Sequence, residues 1–175
     1  MRFCRLLKVI SCSSIRLDSP SFEYIFCEVS LKNSDLFLAV VYRPPKAPYF
    51  KDSTFLSDLS TFCADYSSKL IMGDFNCDIL NPKNMNSIIR SFADSSGLKI
   101  VPHGSTHFTS SSETFIDIIM VDQNDTILNH NSYAHINNHY LIDVSIEIFS
   151  PVSSTSNLSY RDFKNLYENL YLLEL

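Results

Sequence analysis

Eight residues, 35–42 (DLFLAVVY), are apolar at every position after the aspartate and stop at Arg43-Pro44-Pro45. A strand with no polar alternation must be covered on both faces, since either bare face would leave apolar surface in water. Proline cannot donate to a ladder, so the strand ends there. A strand buried on both sides needs a layer above it and a layer below. With helices among the layers, that requirement indicates a mixed α/β layered fold.

The rest of the chain supplies the layers. Residues 22–31 (FEYIFCEVSL) alternate in part, and Lys32-Asn33-Ser34-Asp35 has turn chemistry, so 22–31 and 35–42 read as an antiparallel hairpin. From Ser53, an N-cap by type, Phe55, Leu59, Phe62 and Tyr66 fall on one helical face. Residues 69–72 (KLIM) form a short buried strand ending at Gly73. A second helix is expected over 84–96, with Met85, Ile88, Ile89 and Phe92 inward and Gly97 as its C-cap. Strands follow at 98–101, at 115–121 and at 139–149, with 105–114 as a Ser/Thr-rich loop and a further loop before His139. Residues 150–159 have the composition of a linker. Tyr160, Phe163, Leu166, Tyr167, Leu170 and Leu173 then trace an amphipathic helix.

With 175 residues, 45% of them apolar, and a mean hydropathy of +0.02, one domain with a real core is expected. The formal charge of −5 excludes a protein that coats nucleic acid through clustered Lys and Arg. The charge is also uneven. In residues 51–150 five Lys and Arg stand against twelve Asp and Glu, a balance that suits a cation site better than a surface for phosphate backbones. No apolar run reaches the roughly 18 residues of a membrane span. The N-terminal stretch is interrupted by Arg5 and Lys8 and lacks a clean cleavage site, so it does not read as a secretory leader. Cys4, Cys12, Cys27, Cys63 and Cys77 show no paired spacing and are expected as thiols in a reducing compartment, nucleus or cytoplasm. The sequons at Asn124 and Asn157 are then chance matches.

Chemistry-bearing residues gather at strand ends. Gly73-Asp74-Phe75-Asn76 leaves a buried strand, where ligands collect in layered α/β folds. Taken alone it is equally a strand-end turn. Asp117 is a single acid inside the apolar run FIDIIMV, where an unpaired carboxylate costs several kcal/mol. It reads either as an acid on an exposed strand face or as one that orients a histidine. His103, His107, His130, His135 and His139 are available, and His139 opens the last strand.

Four segments in order, VVYRPP, IMGDFNCD, THFTSSSETFIDIIMV and NNHYLI, resemble the endonuclease/exonuclease/phosphatase superfamily. More narrowly they resemble the apurinic-endonuclease-like domain of non-LTR (LINE-like) retrotransposons, over residues 20–150. The resemblance implies a layered α/β sandwich of mixed sheets flanked by helices. It implies a Mg²⁺-dependent phosphodiesterase, with Mn²⁺ as the substitute ion, that nicks DNA. Tyr42 would stabilise the attacked phosphate, Asp74 would position the attacking water, Asn76 would contact phosphate, and Asp117 would pair with His139. Arg43, Thr106 and His107 would contact substrate.

Two departures accompany the resemblance. The family's opening Asn strand and metal-binding glutamate have no counterpart between Met1 and Pro20, and the family's metal-side acid is replaced by Asn138. An amide is a poorer Mg²⁺ ligand than a carboxylate, so weakened metal binding is expected. Residues 1–150 are then expected as a partial domain, and 151–175 as a linker and helix leading to a region not present here. Three functions stay open: a DNA endonuclease, a phosphoesterase acting on another phosphate ester, and a non-catalytic remnant of the same fold.

Overall fold

A computed structural model describes residues 11–19, 22–31, 34–45, 47, 55–81 and 84–148, the first of these segments and 84–87 by their backbone only. The apolar run is β3 (Asp35–Tyr42), the middle of a six-stranded mixed sheet. On one side it pairs antiparallel with β2 (Phe22–Ser30), whose other edge carries β1 (Ser11–Ser19). On the other side it runs parallel to β4 (Ser68–Asp74), reached through the helix α1 (Phe55–Cys63). A parallel pair needs such a crossover, because no tight turn can join the strand ends. The sheet closes with β8 (Asp117–Asp122) and β5 (Leu98–Ile100), both antiparallel to their neighbours.

One face of this sheet lies under α1 and α2 (Asn84–Ser95). Phe55, Leu59 and Cys63 recur every four residues along α1 and are buried against Phe22, Tyr24 and Phe26. The Phe22 and Phe55 rings stack at 4.3 Å and 13°. From α2, Ile89, Phe92 and Ala93 enter the same core, and Gly97 ends the helix with φ 66°, the left-handed C-cap expected of it. The opposite face meets a four-stranded antiparallel sheet in the order β7 (Glu113–Thr114), β6 (His107–Phe108), β10 (His139–Glu147) and β9 (Thr126–Ile136). Val101, Ile119 and Val121 pack there with Met72, Ile142, Val144 and Ile146.

The layered α/β expectation stands, and the hairpin of β2 and β3 forms as read. Several local expectations are corrected. β1 was not foreseen. The loop before His139 is mostly β9, an eleven-residue strand. The polar segment 105–114 contributes two short strands, β6 and β7. Phe115 and Ile116 are buried ahead of β8 rather than within it. Helix α1 ends at Cys63, so Tyr66 lies beyond it, and Phe62 is exposed although its ring meets Phe26 at 5.2 Å. Ser53, the Met85 side chain and residues 150–175 lie outside the described residues. Cys63 and Cys77 are buried free thiols, as expected. No helix among the described residues is long and apolar enough to cross a membrane.

Gly73 shows how tightly β3 and β4 meet. It pairs with Val41 and has φ 150°, a conformation that side chains resist. A Cβ added there would collide with the Val41 carbonyl oxygen, a backbone atom that cannot swing away. Gly73→Ala is therefore expected to destabilise the fold by more than ~2 kcal/mol, read as a lower midpoint in urea unfolding or as loss of soluble protein.

Candidate active site

The register of the six-stranded sheet builds the site. Tyr42 pairs with Asp74 across β3 and β4, and Asp74 pairs with Asp117 across β4 and β8. Residues directly opposite in a ladder share a face, so three side chains from three strands stand in one row. From the second sheet, His139 places Nδ1 2.9 Å from Asp117 Oδ2. A carboxylate only accepts, so Nδ1–H donates and the tautomer leaves Nε2 open to a substrate. Ligand atoms of Asp74, Asp117 and His139 all lie within 4.8 Å of one another, and all three residues are half-buried.

The loop after β4 is locked from several sides. Asn76 sits at φ 42°, and its backbone N–H donates to Asp74 Oδ1 at 2.8 Å. Its side-chain amide donates to Asp74 Oδ2 at 2.9 Å and to the Arg43 carbonyl at 2.8 Å. Arg43 answers with a guanidinium bond to the Asn76 carbonyl at 3.1 Å and another to the Ala47 carbonyl at 2.7 Å. The backbone N–H groups of Phe75 and Ile79 donate to Ile116 and Phe115, and Asp78 accepts from the Phe115 N–H. Asp78 was not singled out in the sequence. Its carboxylate, two residues past Asn76, is the signal that could have found it.

The row and the lock sort the expected site residues. Asp74, Asp117 and His139 converge, and Tyr42 stands beside Asp74 with its side chain exposed. Asn76, expected on phosphate, spends both amide donors holding Asp74 and Arg43. Arg43 and Thr106, expected on substrate, are buried instead, at 4% and 0% exposure. Thr106 Oγ1 accepts from the backbone N–H groups of Ile116 and Asp117, at 3.1 and 2.9 Å, and so fixes the start of β8. His107 pairs with His139 in the ladder, and their rings lie 4.6 Å apart.

Asn138 is exposed in the two-residue turn joining β9 to β10, where Asn137 and Asn138 have φ 49° and 69°. Such a turn needs positive φ at both central residues, which accounts for paired asparagines. Of the other histidines, His103 packs edge-on to His130 at 5.2 Å, away from the cluster. Burial, with His130 nearby, pushes the His103 pKa down against a smaller opposing pull from Asp143.

Burial pushes the Asp74 carboxyl above the ordinary carboxylate range. The Asn76 backbone N–H pulls it back, Asp117 pushes it up again, and His139 with the Asn76 amide pulls it down. A folded pKa above the unfolded one favours the fold below the unfolded value, and that contribution is lost as pH rises through the folded midpoint. Asp117→Asn is expected to lower the Asp74 midpoint, without returning it to the ordinary value because burial remains, as read by carboxyl carbon NMR titration. Thr106→Val keeps the shape and strands two backbone N–H groups. A loss of about 2 kcal/mol in thermal or urea unfolding is expected.

No family model matches the chain, and no curated protein matches it in sequence. Solved structures do. An endonuclease/exonuclease/phosphatase family protein from Leptotrichia buccalis C-1013-b superposes with TM-score 0.58 at 14% identity, over 81% of this chain and 62% of its own. The endonuclease domain of TRAS1, a telomere-specific non-LTR retrotransposon, gives TM-score 0.60 at 12% identity, over 77% of this chain and 68% of its own. D. rerio TDP2, solved with a single-strand DNA product, gives 0.55 at 11% identity, over 81% and 68%. This chain therefore spans under two thirds of the Leptotrichia protein. At these identities the likeness is one of architecture, and the architecture of this chain is the endonuclease/exonuclease/phosphatase fold.

Proposed function

We propose that this chain is a divalent-cation-dependent phosphodiesterase that acts on DNA in the manner of a retrotransposon endonuclease. The observation that carries the reading is the convergence of Asp74, Asp117 and His139 at one end of the two sheets. The likeness to the TRAS1 endonuclease domain supports the choice of substrate.

Hydrolysis of a phosphodiester needs a base for the attacking water and positive charge or donors for the non-bridging oxygens. His139 Nε2 accepts the water proton, and Asp117 holds the imidazole and stabilises the charge it gains. Asp74, kept in place by Asn76, orients the water for in-line attack. As the water oxygen bonds to phosphorus, the opposite P–O ester bond breaks, and the leaving sugar oxygen takes a proton from solvent. The Tyr42 hydroxyl, exposed beside Asp74, donates to a phosphate oxygen.

The donor set fits a hard cation: two carboxylates stand side by side, and the charge of one pushes the other's pKa up. Asp74 and Asp117 would hold Mg²⁺ or Mn²⁺, which would neutralise charge on the phosphate and keep several of its waters.

A non-catalytic reading is favoured by two features. The Asn76 donors face the fold, and the position expected for a metal-side acid is a turn asparagine, Asn138. Supercoiled-plasmid nicking separates the two. With Mg²⁺ or Mn²⁺ the chain is expected to nick, EDTA to stop it, and Asp74→Ala and His139→Ala each to cut the rate by roughly a hundredfold or more. Absence of nicking from a chain with a cooperative melting transition would remove the endonuclease reading.

A further inference from the structure

The hairpin that carries His139 also carries a cluster of rings that hydrolysis does not use. Phe108 on β6 meets His135 on β9 edge-on, at 4.7 Å and 90°, and Tyr140 on β10 at 5.4 Å. His135 and Tyr140 are 6.3 Å apart. Backbone bonds fasten β6 to β10 at this point, the Phe108 N–H donating to the Asn138 carbonyl at 3.0 Å and the Tyr140 N–H to the Thr106 carbonyl at 2.7 Å, and Tyr140 pairs with His135 of β9. Tyr140 follows His139 and Phe108 follows His107, so strand alternation places these rings on the face of the four-stranded sheet opposite to the His139–His107 pair, at the same edge of the fold. His135 is exposed and Tyr140 is 37% exposed, with Tyr133 and Ile136 exposed beside them. His135 and Tyr140 face water, and Phe108 is half-buried against them.

The charge around them narrows the partner. Residues 100–160 contain no Lys or Arg, while all five histidines of the chain lie between 103 and 139. Both β6 and the β9–β10 hairpin therefore lack the cations that grip phosphates non-specifically. What they offer instead is ring surface, and every nucleobase has a π-face to stack on it. In a duplex those faces are already stacked on one another; only unpaired bases present them.

We propose that Phe108, His135 and Tyr140 form a base-stacking platform on the outer face of the four-stranded sheet, which makes single-stranded or locally unpaired nucleic acid the polymer that this chain recognises. The platform deepens the phosphodiesterase reading by naming the state of its substrate, and it rests on that reading only for which phosphate is cut.

The test titrates the full chain, in EDTA, into a fluorescein-labelled single-stranded DNA oligonucleotide, and into the same oligonucleotide annealed as a duplex, at low and high KCl. The single strand is expected to bind more tightly than the duplex, with a shallow salt dependence. Tyr140→Leu is expected to weaken single-strand binding about tenfold. Tyr140→Trp is expected to retain it and, because the chain has no other tryptophan, to report stacking as quenched indole emission. Equal binding of duplex, a Tyr140→Leu variant of native circular dichroism that binds undiminished, or an unquenched indole at saturating single strand would each overturn the platform. Platform binding without plasmid nicking would leave the platform standing and remove the phosphodiesterase reading. Nicking by a chain whose single-strand binding ignores Tyr140→Leu would do the reverse.

Discussion

Asp74 and Asp117 stand directly opposite each other on β4 and β8, and the rest of the site is arranged around holding them there. Two acids side by side in a half-buried position repel, and burial adds to the cost of their charge. The fold offsets this with donors aimed inward. Asn76 gives its backbone and side-chain N–H to Asp74, and His139 gives Nδ1–H to Asp117. Thr106 and Arg43 work one step back. The first collects the N–H groups at the start of β8, and the second clamps the Asn76 carbonyl. Removing any of these leaves a charge or a donor buried without its partner, which costs more than the bond itself contributes.

The buried strands were legible because their patterns are unambiguous. DLFLAVVY is an inner strand as read, although Val40 and Tyr42 are exposed and one of its faces is covered only in part. KLIM lies in β4, which runs on through Gly73 to Asp74, and Gly97 ends its helix. Asp117 was open on its own residues, between an exposed strand face and a histidine partner; the resemblance named His139, and the hydrogen bond joins the two at the start of β8. What escaped was held by partners rather than by its own pattern. β9 reads TILNHNSYAHI, mostly exposed and without clean alternation, and its pairing with β10 is interrupted by irregularities. It is a strand because β10 needs a neighbour, and nothing local announces that. β6 and β7, two residues each, are strands for the same reason.

The supporting residues were harder to place than the central ones. An arginine after a strand and a threonine in a polar loop look like hands held out to an anion. Their burial at 4% and 0% shows them serving carbonyls and amides instead. A motif residue has the same letter whether it faces the cluster or holds the loop that carries it, so the sequence could not tell the two apart. Asn138 illustrates a further ambiguity: its letter suits a weakened ligand, and its φ of 69° suits a tight turn equally well.

Asp117 belongs to the six-stranded sheet and His139 to the four-stranded one, so their hydrogen bond is also a joint between the two layers. A pair assembled across such a joint exists only while the layers are docked. A small slide of one sheet over the other would part Nδ1 from its carboxylate and release the imidazole to its other tautomer, with no side chain changing rotamer. The Asp117–His139 bond is in that sense a gauge of how closely the two sheets are held.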